Sequence, residues 1–135
     1  MDTLLLQLGI ALFLLGMLTG FIVPKFKNPR MGLSSHMEGV LNGMFLIALG
    51  LLWSRLNLSG AMLSLAFWLA IYGTFANWFA TLLAALWGAG SMMPIAAQGH
   101  ESSPAREAAI KFLLGTLSLA MVAVCALVLV GLRAG

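Results

Sequence analysis

Ser35-His36-Met37-Glu38-Gly39-Val40-Leu41-Asn42-Gly43-Met44, continuing without a charge to Trp53, is the stretch on which the fold turns. Its uncharged part, Gly39 to Trp53, is 15 residues long, whereas an α-helix needs about 20 to cross a hydrocarbon core of about 30 Å. For this segment to cross, its helix has to begin earlier and carry His36 and Glu38 into the membrane. Ser35 and Glu38 stand at capping-box spacing, with Ser35 as N-cap and Glu38 reaching back to its N–H from the third helical position. The spacing therefore predicts a helix over 35–54 that begins near the membrane surface.

Three further apolar runs have crossing length, over 4–23, 60–88 and 104–132. The first stops at the basic loop Pro24-Lys25-Phe26-Lys27-Asn28-Pro29-Arg30. Its start, Met1-Asp2-Thr3, lacks the positive n-region of a signal peptide, so the run reads as a span with a stop-transfer flank. The 60–88 run is longer than a crossing needs, an excess that tilt accommodates. The last has Ser103 placed to cap it, Pro104 at the first helical position and Arg133 at its end.

Composition agrees: 61% of the residues are hydrophobic and 8% charged, with a mean hydropathy of +1.03. An ordinary soluble domain is about 25% charged, so the apolar excess must face lipid. The expected fold is an all-α, integral membrane four-helix bundle, one domain over residues 1–135. Lys25, Lys27, Arg30, Arg106 and Lys111 fall on one side and only Arg55 and Arg133 on the other. The positive-inside rule then places both termini on the non-cytoplasmic side and the His36 end of the second span at the cytoplasm. A net charge of +3 strewn along the chain excludes a nucleic-acid face. One cysteine, Cys125, excludes an intrachain disulfide. Gly16 and Gly20, Gly39 and Gly43, and Ala76, Ala80, Ala84 and Gly88 recur at the spacing that lets membrane helices approach closely, which favours an oligomer.

Few side chains inside the spans can do chemistry. Glu38 is absorbed by the capping box. His36, in a first helical turn, is held neutral by the helix dipole and keeps the lone pair that a metal ligand needs. Asn42 lies six residues on, about 120° around the helix and about 9 Å along it. The two do not share a face, so a site using both needs either a bulky planar ligand or two copies of the helix. Thr74, Asn77 and Thr81 form a polar stripe on the third span that serves equally as interhelical glue. His100 sits in the hydrophilic loop Gln98-Gly99-His100-Glu101-Ser102-Ser103 and reads as solvated, and Met44 reads as packing.

The segment from His36 to Met44, a histidine followed six residues later by Asn-Gly-Met, resembles the second-helix motif of the styrene oxide isomerase family, and Asn77 matches an asparagine on its third helix. The length, the opening Leu4-Leu5-Leu6 to Gly20 run and the four-span layout are similar to those of the related hydroxylaminobenzene mutases. The resemblance implies a homotrimer with haem b between subunits: His36 on the iron, Gly39 and Gly43 beside the cofactor, Asn42 and Asn77 on the substrate. It implies an isomerase that moves the oxygen of hydroxylaminobenzene to the ortho carbon, giving 2-aminophenol, with ferric haem as Lewis acid. One departure stands out. The family's catalytic tyrosine, four residues after the helix-three asparagine, is Thr81 here, and the chain's single tyrosine, Tyr72, is the remaining candidate. Two other classes fit the residues: an electron carrier with His36 and His100 as axial ligands, and a cofactor-free transporter or scaffold.

Overall fold

The structure, a computed structural model, describes residues 1–133. Four long helices, α1 (Asp2–Phe21), α2 (Pro29–Leu52), α3 (Gly60–Trp87) and α5 (Pro104–Arg133), are each long and apolar enough to cross a membrane. A single turn, α4 (Pro94–Ala97), interrupts the connection between α3 and α5. The long helices pack in chain order, α1 on α2, α2 on α3 and α3 on α5, so the two outer helices are the least buried. Phe21 on α1 and Leu119 on α5 remain 77% and 75% exposed, as side chains facing lipid do.

Glycine sets how α1 meets α2. A Cβ on Gly16 would lie 2.6 Å from the Val40 backbone nitrogen, and one on Gly43 2.6 Å from that of Phe13. The helices cross with their backbones in contact at Gly9 and Gly16 against Gly43 and Gly39. Gly39 also abuts Trp78, whose Nε1 donates to Thr19 Oγ1 at 3.0 Å. Gly39 and Gly43 thus pack against α1. Gly16→Ala should force the helices apart and lower stability in detergent by about 1–3 kcal/mol, the range for overpacking. Gly115, with nothing within 4 Å of its Cβ position, is the control. Gly115→Ala should be neutral or gain up to about 1 kcal/mol of helix propensity, and thermal unfolding of both variants checks the contrast.

The second helix starts nearly two turns before the sequence reading placed it. Asn28 is its N-cap, accepting from the Met31 N–H at 3.2 Å, and Pro29 is its first residue, where proline costs no hydrogen bond. The Ser35/Glu38 capping box does not form. Ser35 Oγ instead donates to the Trp78 carbonyl at 3.2 Å. Asn28 has a second role, because its Nδ2 donates to the Ala96 and Ala97 carbonyls at 3.1 and 3.0 Å. The basic loop after α1 and the α3–α5 connection therefore meet at one end of the bundle. Glu107, in the first turn of α5, clasps that connection, accepting from the N–H groups of Gly90, Ser91 and Ser102 and from the Ser91 hydroxyl. The cap at Ser103 forms as expected, accepting from Arg106 N–H.

Candidate functional site

Two clefts open on opposite sides of α2, because residues 36 and 38 are about 200° apart on a helix. The first, of about 480 Å³, lies between α1 and α2 and is lined by Met17, Gly20, Phe21, Val23, Pro24, Leu33 and His36. Apart from the imidazole its walls are apolar. His36 Nδ1 lies 2.7 Å from the carbonyl oxygen of Gly16. A carbonyl can only accept, so Nδ1 carries the proton and Nε2 holds the lone pair in the neutral ring. Nε2 has no hydrogen bond among the described residues. The tautomer is fixed by this bond to α1, rather than by a first-turn dipole, since His36 stands two turns inside α2. Gly20 makes room for the ring: a Cβ there would lie 2.7 Å from Nδ1.

A histidine with Nδ1–H on a backbone carbonyl and Nε2 free is the usual state of a metal-ligating histidine. The cleft offers no other donor and apolar walls, which suits a macrocycle bringing its own four nitrogens. The residues present therefore fit a haem, which His36 would hold through Nε2. Among the described residues no three His, Cys, Asp or Glu side chains cluster to hold a bare metal ion.

The second cleft, of about 540 Å³, lies between α2, α3, α4 and α5. Arg30, Ser34 and Glu38 line it from α2, Asn77 and Thr81 from α3, and Met93, Ile95 and Leu114 are among its apolar walls. Glu38 is its centre. Its Oε2 accepts from Asn77 Nδ2 at 2.7 Å and from Asn42 Nδ2 at 3.0 Å, while Oε1 has no partner among the described residues. Asn42 Nδ2 also donates to the Glu38 carbonyl at 2.8 Å, so both of its N–H groups are engaged. Asn42 is 8% exposed and does not line the cleft, so it holds the carboxylate from behind.

The sequence-derived site residues thus divide. Asn42 and Asn77 come together on Glu38, the residue that sequence reasoning assigned to a cap. His36 looks into the other cleft. Tyr72 joins neither; its hydroxyl bonds that of Thr116 across α3 and α5, beside the aromatic groove of Phe75 and Phe79. Thr74 and Thr81 are not interhelical glue, for their hydroxyls donate back to carbonyls of α3, Thr81 to Asn77 and Trp78 at 2.9 Å each. His100 is in the α3–α5 connection with Nδ1 2.8 Å from the Ala97 carbonyl, in a different pocket from His36.

A family described as styrene oxide isomerase matches residues 1–133. The chain is similar to hydroxylaminobenzene mutase HabB of Ectopseudomonas oleovorans, 65% identical over 130 residues, which are 96% of this chain and 79% of that protein. It is also similar to hydroxylaminobenzene mutase HabA of the same organism, 50% identical over 133 residues and 98% of each chain. No solved structure matches it.

Proposed function

Because the chain belongs to the styrene oxide isomerase family, we propose that it is a membrane mutase rearranging hydroxylaminobenzene to 2-aminophenol, with haem b between the subunits of a homotrimer. The reaction rests on likeness over 96% and 98% of this chain to two relatives bearing that name. The cofactor rests on the His36 tautomer, fixed by Gly16 with Nε2 free. Bound there, ferric haem b supplies a Lewis acid for the hydroxylamine oxygen.

The chain's own residues do the rest. His36 holds the cofactor through Nε2, and the Gly16 carbonyl keeps the imidazole oriented. The apolar walls of the His36 cleft keep out water that would trap a ring-delocalised cation. Among the described residues the Asn77 side chain still has one N–H and its Oδ1 free to orient a polar substrate group at the cleft wall. His36 and the Glu38 cluster leave α2 on opposite sides, so in one site they come from neighbouring copies. The basic end of the bundle, with Lys25, Lys27, Arg30 and Arg106, faces the cytoplasm on this reading, both termini lie outside, and the membrane is a bacterial inner membrane.

Isotope tracing tests the reaction. Substrate labelled at the hydroxylamine oxygen should give 2-aminophenol that keeps the label in unlabelled water, anaerobically and without reductant, because a held oxygen is recaptured within the site. Solvent oxygen in the product, or mainly the para isomer, overturns intramolecular transfer. Failure to convert the substrate at all overturns the reaction.

A further inference from the structure

We propose that Glu38 is a catalytic residue of this rearrangement, its Oε1 taking the proton from the ring carbon that has gained oxygen and returning it to nitrogen. The proposal rests on the mutase reading above. Its need follows from atom balance. Breaking the N–O bond and forming a C–O bond at the ortho carbon leaves that carbon bearing both hydrogen and hydroxyl, with nitrogen as an imine. Aromaticity returns only when the C–H bond breaks, its electron pair re-enters the ring and nitrogen gains a proton. One proton leaves carbon and one arrives at nitrogen, with no net oxidation. A single carboxylate can carry out both transfers.

The second cleft offers one group able to do this. Of the side chains lining it, only Arg30 and Glu38 ionise, and a guanidinium does not accept a proton. Thr81, where the resemblance places a tyrosine, has its hydroxyl directed to its own helix, and Tyr72 lies in another groove. Glu38, by contrast, is set up as a fixed base. Asn42 and Asn77, from two helices, both hold Oε2, which fixes the plane of the carboxylate and leaves Oε1 unpartnered among the described residues. A carboxylate among membrane-spanning helices is costly, and two amides arranged around one of its oxygens are more than a local helix cap requires.

The test compares wild type, Glu38→Gln and Glu38→Asp, purified in detergent, on hydroxylaminobenzene and on substrate deuterated at both ortho carbons. Glutamine keeps the shape, and its amide oxygen still accepts from Asn42 and Asn77, so the helix contact survives while the base is lost. Glu38→Gln should lower kcat by about 10²-fold or more and show a larger ring-deuterium isotope effect than wild type, because C–H cleavage has become limiting. Glu38→Asp should fall between the two in both respects. A wild-type kcat in Glu38→Gln, or a slower variant with an unchanged isotope effect, overturns the assignment and leaves Glu38 a structural link. Should Glu38→Gln fail to fold, the isotope effect of Glu38→Asp decides in the same way. If wild type itself does not turn over the substrate, the mutase reading falls and takes this one with it.

Discussion

His36→Ala is expected to purify without haem and without mutase activity, its visible spectrum reduced to background, while His100→Ala keeps both. The chain has two histidines, and only His36 lies within a membrane-spanning helix, with Nδ1 held on Gly16 and Nε2 free. No second imidazole can take its place, so the loss should be near complete. Gly20→Val provides a second, indirect route to the same end. Its Cβ would lie 2.7 Å from Nδ1, so the ring must leave the Gly16 carbonyl, and haem should bind weakly even though the ligand is present. Spectral titration of each variant with added haem measures this. A normal haem spectrum in His36→Ala removes the ligand assignment. Equal loss in His36→Ala and His100→Ala instead favours an electron carrier with two axial histidines.

Much of the fold was legible because crossing a membrane imposes a length and an apolar composition that few other structures share. The four spans could be read from that alone. The start of α2 could not, since Asn28-Pro29 looks the same as a loop bracket or as an N-cap followed by a first helical residue. What settles it is tertiary: Asn28 is buried against Ala96 and Ala97, 68 and 69 residues away. The misreading of Glu38 has the same origin. Ser-x-x-Glu spacing is local, and no local pattern reveals that the carboxylate meets Asn77 on another helix. The Thr74-Asn77-Thr81 stripe was seen, but not that its threonines turn inward to their own backbone while its asparagine crosses to α2. The divergence of His36 from Asn42 was legible from helical geometry, because rotation per residue is fixed whatever the surroundings.

That divergence leads to the prediction that separates a shared site from a self-contained one. A chain carrying His36→Ala and a chain carrying Asn42→Ala with Asn77→Ala should each be inactive alone, yet regain activity when co-expressed. If every site takes its histidine from one copy and its Glu38 cluster from the next, a site is intact when a His36-bearing copy precedes an amide-bearing one. In randomly mixed cyclic trimers this holds with probability one half times one half, so about a quarter of the wild-type sites should be restored. Were His36 and Glu38 to serve one site within a single chain, no mixture could restore any site, because every chain would lack one half of it. Mixing the two proteins after purification, under conditions where trimers do not exchange, should yield nothing. Activity and haem content of the affinity-purified mixed species provide the measurement. Because the amide-variant chain keeps His36, the mixed species should hold about half of the wild-type haem in either case, so activity is the deciding readout: complete absence of complementation would return the site to one chain and require α2 to present both faces to the same cavity, which its helical geometry opposes.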